Sequence, residues 1–208
     1  MRFREICALG LMLCGVARAN IIPTGTTISG TGPFTWTYAF QLSQDQNADS
    51  GLPPAANPVP HNNVAFGSFL TIFDFAGYVT GTCSGPVGWT CMAQNTGFTP
   101  DDVSPFDNPG VVNLTWTYTS GPTLLGQPGG LALGLFSAVS TSNFPILVSY
   151  AARGVANAGS AVGTIADNVG QTQGPLSLGQ DEVVPEPITL LSIGIGLAAI
   201  CVVRRAKS

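Results

Sequence analysis

With 208 residues, 45% of them hydrophobic and only 9% charged, the chain holds one domain of ordinary size plus targeting segments, and it lacks the low-hydrophobicity, high-charge profile of a disordered protein. Between its two apolar ends Arg153 is the only base, against Asp45, Asp49, Asp74, Asp101, Asp102, Asp107, Asp167, Asp181 and Glu182, so residues 20–184 carry a formal charge of −8. That balance excludes nucleic acid and anionic lipid headgroups as partners of the middle, since phosphate binding needs clustered Lys or Arg; divalent cations and neutral glycans stay open.

The chain begins with Arg2 and Arg4, then the apolar run Ile6–Val16, then Ala17-Arg18-Ala19. A positive start, a short apolar stretch and a small-x-small site make a secretory signal peptide, residues 1–19, with cleavage expected after Ala19. The run is too short for the roughly 20 residues that span a bilayer. Leu13 stands before Cys14 where a lipid-attachment site needs a small residue, so a lipoprotein is not expected.

Twenty-six glycines and sixteen prolines favour short strands joined by turns in the middle of the chain. Phe34, Trp36, Tyr38, Phe40 and Leu42 alternate with Thr35, Thr37, Ala39 and Gln41. Val112, Leu114, Trp116 and Tyr118 alternate in the same way with Asn113, Thr115, Thr117 and Thr119. A period of two with aromatic and β-branched residues predicts half-buried strands. Further strands are expected in Val64–Phe66, Ser68–Phe75, Gly88–Met92, Leu131–Ser140, Pro145–Ala152 and Ala161–Ala166. Gly30-Thr31-Gly32-Pro33, Asn108-Pro109-Gly110 and Gln127-Pro128-Gly129-Gly130 mark turns. Ser43–Asn62, with four prolines, reads as a long loop. The tetrapeptide Thr-Trp-Thr-Tyr occurs at 35–38 and again at 115–118, with flanks that do not align, which favours convergent strand composition over duplication.

No constellation in this middle amounts to a catalytic site, so the chain is not expected to be an enzyme, and neither a metal nor another cofactor is assigned to it. Cys83 and Cys91 are the pair left after the signal and the C-terminal run are set aside, and an oxidising compartment makes them a disulfide. It would pin the Gly85-Pro86-Val87-Gly88 turn. His61, among Pro60, Asn62 and Asn63, reads as a solvated loop side chain rather than a base. Asp101, Asp102 and Asp107 are the nearest approach to paired carboxylates, but aspartates beside Pro and Gly usually fill turns. Asp45-x-Asn47-x-Asp49 has the alternating oxygens of a calcium loop, yet Ser50 replaces the turn glycine and Ala56 stands where a bidentate Glu belongs. Trp36, Trp89 and Trp116 offer a sugar-stacking platform only if they are not core, and their strand positions favour core.

The C-terminus reads Val184-Pro185-Glu186-Pro187, then the uncharged run Ile188–Val203, then Arg204, Arg205 and Lys207. A helix over that run rises ~24 Å, slightly short of a ~30 Å hydrocarbon core, a mismatch that snorkelling arginines absorb. The basic end stays cytoplasmic and leaves the rest of the chain facing outward. Pro187 suits a first helical turn, while Pro185 keeps Val184 extended. Motif, apolar run and basic end in this order resemble the PEP-CTERM sorting signal of Gram-negative bacteria. The resemblance implies that an exosortase cuts near Pro-Glu-Pro and passes the protein toward the cell surface. Phe69–Tyr78, Gly88-Trp89-Thr90 and Asn113-Leu114-Thr115-Trp116-Thr117-Tyr118 are similar to a recurring exported, β-rich type within that family, a likeness that implies no activity.

The expected organisation is therefore a signal peptide (1–19), an all-β domain (20–176) with regular strands from about Thr26, a linker (177–184), and a sorting tail (185–208) with a single transmembrane helix at 188–203. The domain is expected to be an antiparallel, jelly-roll-like β-sandwich, because short strands with one apolar face pack as two facing sheets. The expected function is that of an exported, inner-membrane-anchored precursor destined for the cell surface or extracellular matrix. Its partners would be an exosortase and the membrane. The alternative is an exopolysaccharide-binding module assisted by calcium.

Overall fold

The computed structural model describes residues 20–50, 67–100 and 102–176, all within the first of two units into which the chain divides, Met1–Ser177 and Leu178–Ser208. The signal peptide, the Pro-rich stretch with His61, the strand expected at Val64–Phe66, the linker and the sorting tail lie outside the described residues. The rest is all-β. In chain order the strands are β1 (Ile21–Ser29), β2 (Phe34–Leu42), β3 (Gln46–Ala48), β4 (Phe69–Ile72), β5 (Trp89–Gln94), β6 (Asn113–Tyr118), β7 (Leu124–Leu125), β8 (Leu131–Ser140), β9 (Pro145–Ala156) and β10 (Ile165–Pro175). One 3-10 turn, Gly159–Ala161, precedes β10.

Every strand pair is antiparallel. The smaller sheet runs β1-β2-β8. In the larger, β9 is the long central strand. Along one edge it takes β4 at Tyr150–Arg153 and β3 at Val155–Ala156, and along the other it takes the whole of β10. Beyond β4 come β6 and then β5; beyond β3 comes β7.

The alternation of β2 places Trp36, Tyr38, Phe40 and Leu42 inside, each no more than 1% exposed. Leu70, Ile72, Leu114, Trp116, Tyr118, Val148 and Ala152 of the larger sheet belong to the same buried cluster. The rings meet edge to face. Phe136 of β8 lies 5.4 Å from Phe40, 5.7 Å from Trp116 and 5.2 Å from Trp89. The two Thr-Trp-Thr-Tyr segments fall in different sheets, with Tyr38 and Trp116 centroids 6.5 Å apart. Such pairs add about 0.5–1.5 kcal/mol each beyond simple burial.

Four expectations need correction. The first strand begins at Ile21 rather than near Thr26; a bulge at Pro23/Gly25 lets it carry a proline on a sheet edge. Gln46–Ala48, expected as loop, is β3, fixed by its pairing with β9 and β7. Ala161–Ala166 is mostly turn, and the strand runs instead from Ile165 to Pro175. Finally, β6 is not half-buried. Asn113 and Thr115 on its polar face are fully buried, because the chain at Phe98 crosses over them. Thr71 Oγ1 donates to the Phe98 carbonyl at 2.8 Å, the Phe98 N–H donates to Thr115 Oγ1 at 3.3 Å, and the Phe98 ring meets Phe69 at 5.7 Å.

Phe136→Ala should lower unfolding free energy by roughly 3–5 kcal/mol through the cavity it leaves. Leu135→Ala, one residue away and 65% exposed, should stay within about 0.5 kcal/mol. Urea unfolding followed by tryptophan fluorescence checks both.

Candidate functional site

Polar side chains converge on the outer face of the larger sheet, which the 95–110 segment covers. Arg153 of β9 and Asp167 of β10 are register partners. Arg153 Nε donates to Asp167 Oδ1 at 3.0 Å and Nη2 donates to Oδ2 at 3.3 Å. Their side chains are only 2% and 4% exposed. The guanidinium also sits 5.6 Å from the ring centroid of Phe69, its partner on β4, a cation–π placement. The backbone N–H of Asp102 donates to the same carboxylate. Burial pushes the Asp167 carboxyl above its ordinary range, while the bonds and charge of Arg153 pull it back. The chemistry is that of a clamp, joining β9, β10 and the covering segment.

A second cluster forms around Asp74, a non-glycine residue in the left-handed region at φ 55°. Its N–H donates to Asn113 Oδ1 at 2.8 Å, and its own Oδ1 accepts the Asn108 N–H at 2.9 Å. Asn113 Nδ2 donates to Asp107 Oδ1 at 2.9 Å and to the Asn95 carbonyl at 3.1 Å. Burial raises the Asp74 carboxyl, the Asn108 N–H lowers it, and the nearby charge of Asp107 raises it further. These bonds splice the end of β4 to the start of β6 and to the covering segment.

Asp102 and Asp107, close in sequence, thus belong to different clusters. Asp102 joins Arg153 and Asp167, Asp107 joins Asp74, and Asp101 lies outside the described residues. Asp45, Asn47 and Asp49 do not share a site either. Asp45 Oδ1 accepts from Ser43 Oγ at 2.7 Å, Asn47 Oδ1 from Asn157 Nδ2 at 2.7 Å, and Asp49 Oδ2 from Thr123 Oγ1 at 3.5 Å. Among the described residues, no three His, Cys, Asp or Glu side chains converge as metal ligands.

Cys83 and Cys91 are bonded, with Cα atoms 5.9 Å apart. The loop they close turns at Pro86–Trp89, where the Trp89 N–H donates to the Pro86 carbonyl at 3.0 Å. Gly88 takes φ 88° there, and a side chain on it would strike the Ser120 carbonyl. The three tryptophans are all core, at 0%, 8% and 0% exposure for Trp36, Trp89 and Trp116. Trp36 Nε1 donates to the Ser142 carbonyl and Trp116 Nε1 to that of Ser84, each at 2.9 Å, so none presents a face to a sugar.

Sequence reasoning passed over Asp74, Asn113 and the Arg153–Asp167 pair. One signal was available: a single base in an otherwise acidic middle demands an acidic partner once buried. Nothing in the spacing of residues 153 and 167 named that partner.

Arg153→Met should cost about 3–5 kcal/mol at neutral pH by stranding the buried Asp167 carboxylate, and the added change Asp167→Leu should recover much of it; urea midpoints of both variants check this. For Asp74 the folded carboxyl titrates above its unfolded value, so the folded state holds that proton more tightly. Its contribution to stability therefore falls as pH rises from about 4 through the raised folded value, and returns on acidification. Asp74→Asn, a residue that tolerates the left-handed region, should raise the melting temperature at pH 7, with the gain vanishing near about pH 4. A pH series of thermal melts decides it.

Among the described residues no helix is long and apolar enough to cross a membrane; the expected spans and the residues Val184, Pro185, Glu186, Pro187, Arg204, Arg205 and Lys207 lie outside them. Comparison with known proteins speaks to that part of the chain. No curated protein matches the chain. Residues 183–205 match the family of the PEP-CTERM protein-sorting motif, a match that supports export and exosortase sorting. The chain therefore carries a PEP-CTERM protein-sorting motif at its C-terminal end.

Proposed function

We propose that this is a non-enzymatic surface protein, a jelly-roll-like β-sandwich delivered to the outside of the cell by its two ends. The signal peptide 1–19 starts export. The helix 188–203 then halts it, with Arg204, Arg205 and Lys207 left in the cytoplasm, and yields an inner-membrane-anchored precursor. An exosortase cleaves near Val184-Pro185-Glu186-Pro187 and releases the body to the cell surface or extracellular matrix. The observation that carries this reading is the sorting-motif match at residues 183–205.

The body supports the reading in a modest way. Its polar clusters hold strands and the covering segment together, its disulfide suits an oxidising compartment, and Asp102 and Asp107 take different partners. Binding of exopolysaccharide loses its aromatic platform to the core, and its calcium-assisted form loses the shared site at Asp45, Asn47 and Asp49.

Deleting Pro185–Ser208 should keep the protein out of the surface or matrix fraction that the mature wild type reaches, and should abolish the heavier, tail-bearing precursor found in wild-type membranes. Fractionation of cells and medium with intact-mass measurement tests this; a truncated protein found in the same compartment as the mature wild type, or a wild type that keeps residues 188–208 at its final location, would overturn the proposal.

A further inference from the structure

We propose that β10 is an association edge, pairing antiparallel with β10 of a second copy of this chain. Strand β10 matches β9 residue for residue, from Ile165↔Val155 to Pro175↔Pro145, with no bulge. The Ser149 carbonyl accepts from Phe73 on the β4 side, and the Leu176 N–H donates to the Phe144 carbonyl. With the alternation of an antiparallel ladder, these bonds place the backbone groups of Val169, Gln171 and Gln173 on the edge facing away from β9. All three residues are exposed, and among the described residues no strand pairs with that edge.

Natural sheet edges are blunted by lysine, proline, bulges or inward charges. Val169-Gly170-Gln171-Thr172-Gln173 carries none of these. Of the other long edge strands, β1 is bulged at Pro23/Gly25, and β8 has a register shift against β2 at Phe40/Gln41 and is bridged by Tyr78 and Ser84 on its free side; the shorter β5 is tied at Cys91 to Cys83.

The occupant follows from charge. Two copies of a segment carrying −8 repel each other over most of their surfaces, whereas this stretch is uncharged. The nearby Asp167 is already paired with Arg153. A two-fold axis at Gln171 sets Gln171 against its own copy, Val169 against Gln173, and Asp167 against Pro175, so that no carboxylate faces another. An amide both donates and accepts, which makes Gln171 complementary to itself, as an isologous interface requires. Outward backbone groups would then bond reciprocally at Gln171 and at both Val169–Gln173 pairs, extending the larger sheet across the axis.

The test is sedimentation equilibrium of the full chain extracted from membranes in detergent. Wild type should sediment as a dimer. Gln171→Lys and Gln171→Glu, changes at an exposed side chain, should each weaken the dimer at least about tenfold while melting like wild type. An equimolar mixture of the two should dimerise again. A monomeric wild type, single variants as dimeric as wild type, or a mixture that stays monomeric would each overturn pairing through this edge.

Discussion

Short strands with few charges have little to hold them except one another's apolar faces, and here those faces meet in a single aromatic cluster. Trp36, Tyr38 and Phe40 come from one sheet and Trp116 and Tyr118 from the other, with Phe136 touching rings of both. Each ring is large enough to bridge the space between sheets, and edge-to-face contact gives the packing a direction as well as a driving force. Where the indoles have N–H groups to bury, backbone carbonyls receive them. The disulfide, the turn at Gly88 and the register of β5 are all placed around this cluster.

The opposite face of the larger sheet is organised by polar bonds instead. Arg153, Asp167 and Asp102 fasten one end of the covering segment; Asp74, Asn108, Asp107 and Asn113 fasten the other. A buried ion pair is weak evidence for net stability but strongly dictates which partners meet, because a stranded charge is so costly. The same pairing removes the only cation of the middle from the surface. What remains outside is acidic or neutral, a surface with no grip on phosphate.

The functional reading therefore rests on two different kinds of observation. The tail is an address, legible as a linear motif. Among the described residues, the polar clusters bond strands and the covering segment to one another, and a disulfide closes the 83–91 loop. Its uncharged, unbulged edge at β10 is the feature most suited to contact with another molecule.

By itself the sequence determined the sorting motif at the C-terminal end, the all-β class, the inward faces of β2 and the Cys83–Cys91 pair. Each of these depends on nearest-neighbour chemistry: an apolar run beside basic residues, a period of two, two thiols eight residues apart. Tertiary structure alone decided that Asn113 and Thr115 are buried, that Asp102 and Asp107 part company, and that Arg153 finds Asp167. It also decided that IADNVGQTQGP is a strand at all. That segment is rich in Gly, Asn and Gln, which have little preference for extended structure. Its place is set by the ladder to β9, where Gly170 and Gly174 leave room for Tyr150 and Val148, whose atoms would lie 2.7 Å from any added Cβ. Contacts between residues far apart in sequence leave no local trace, so only the folded chain could reveal them.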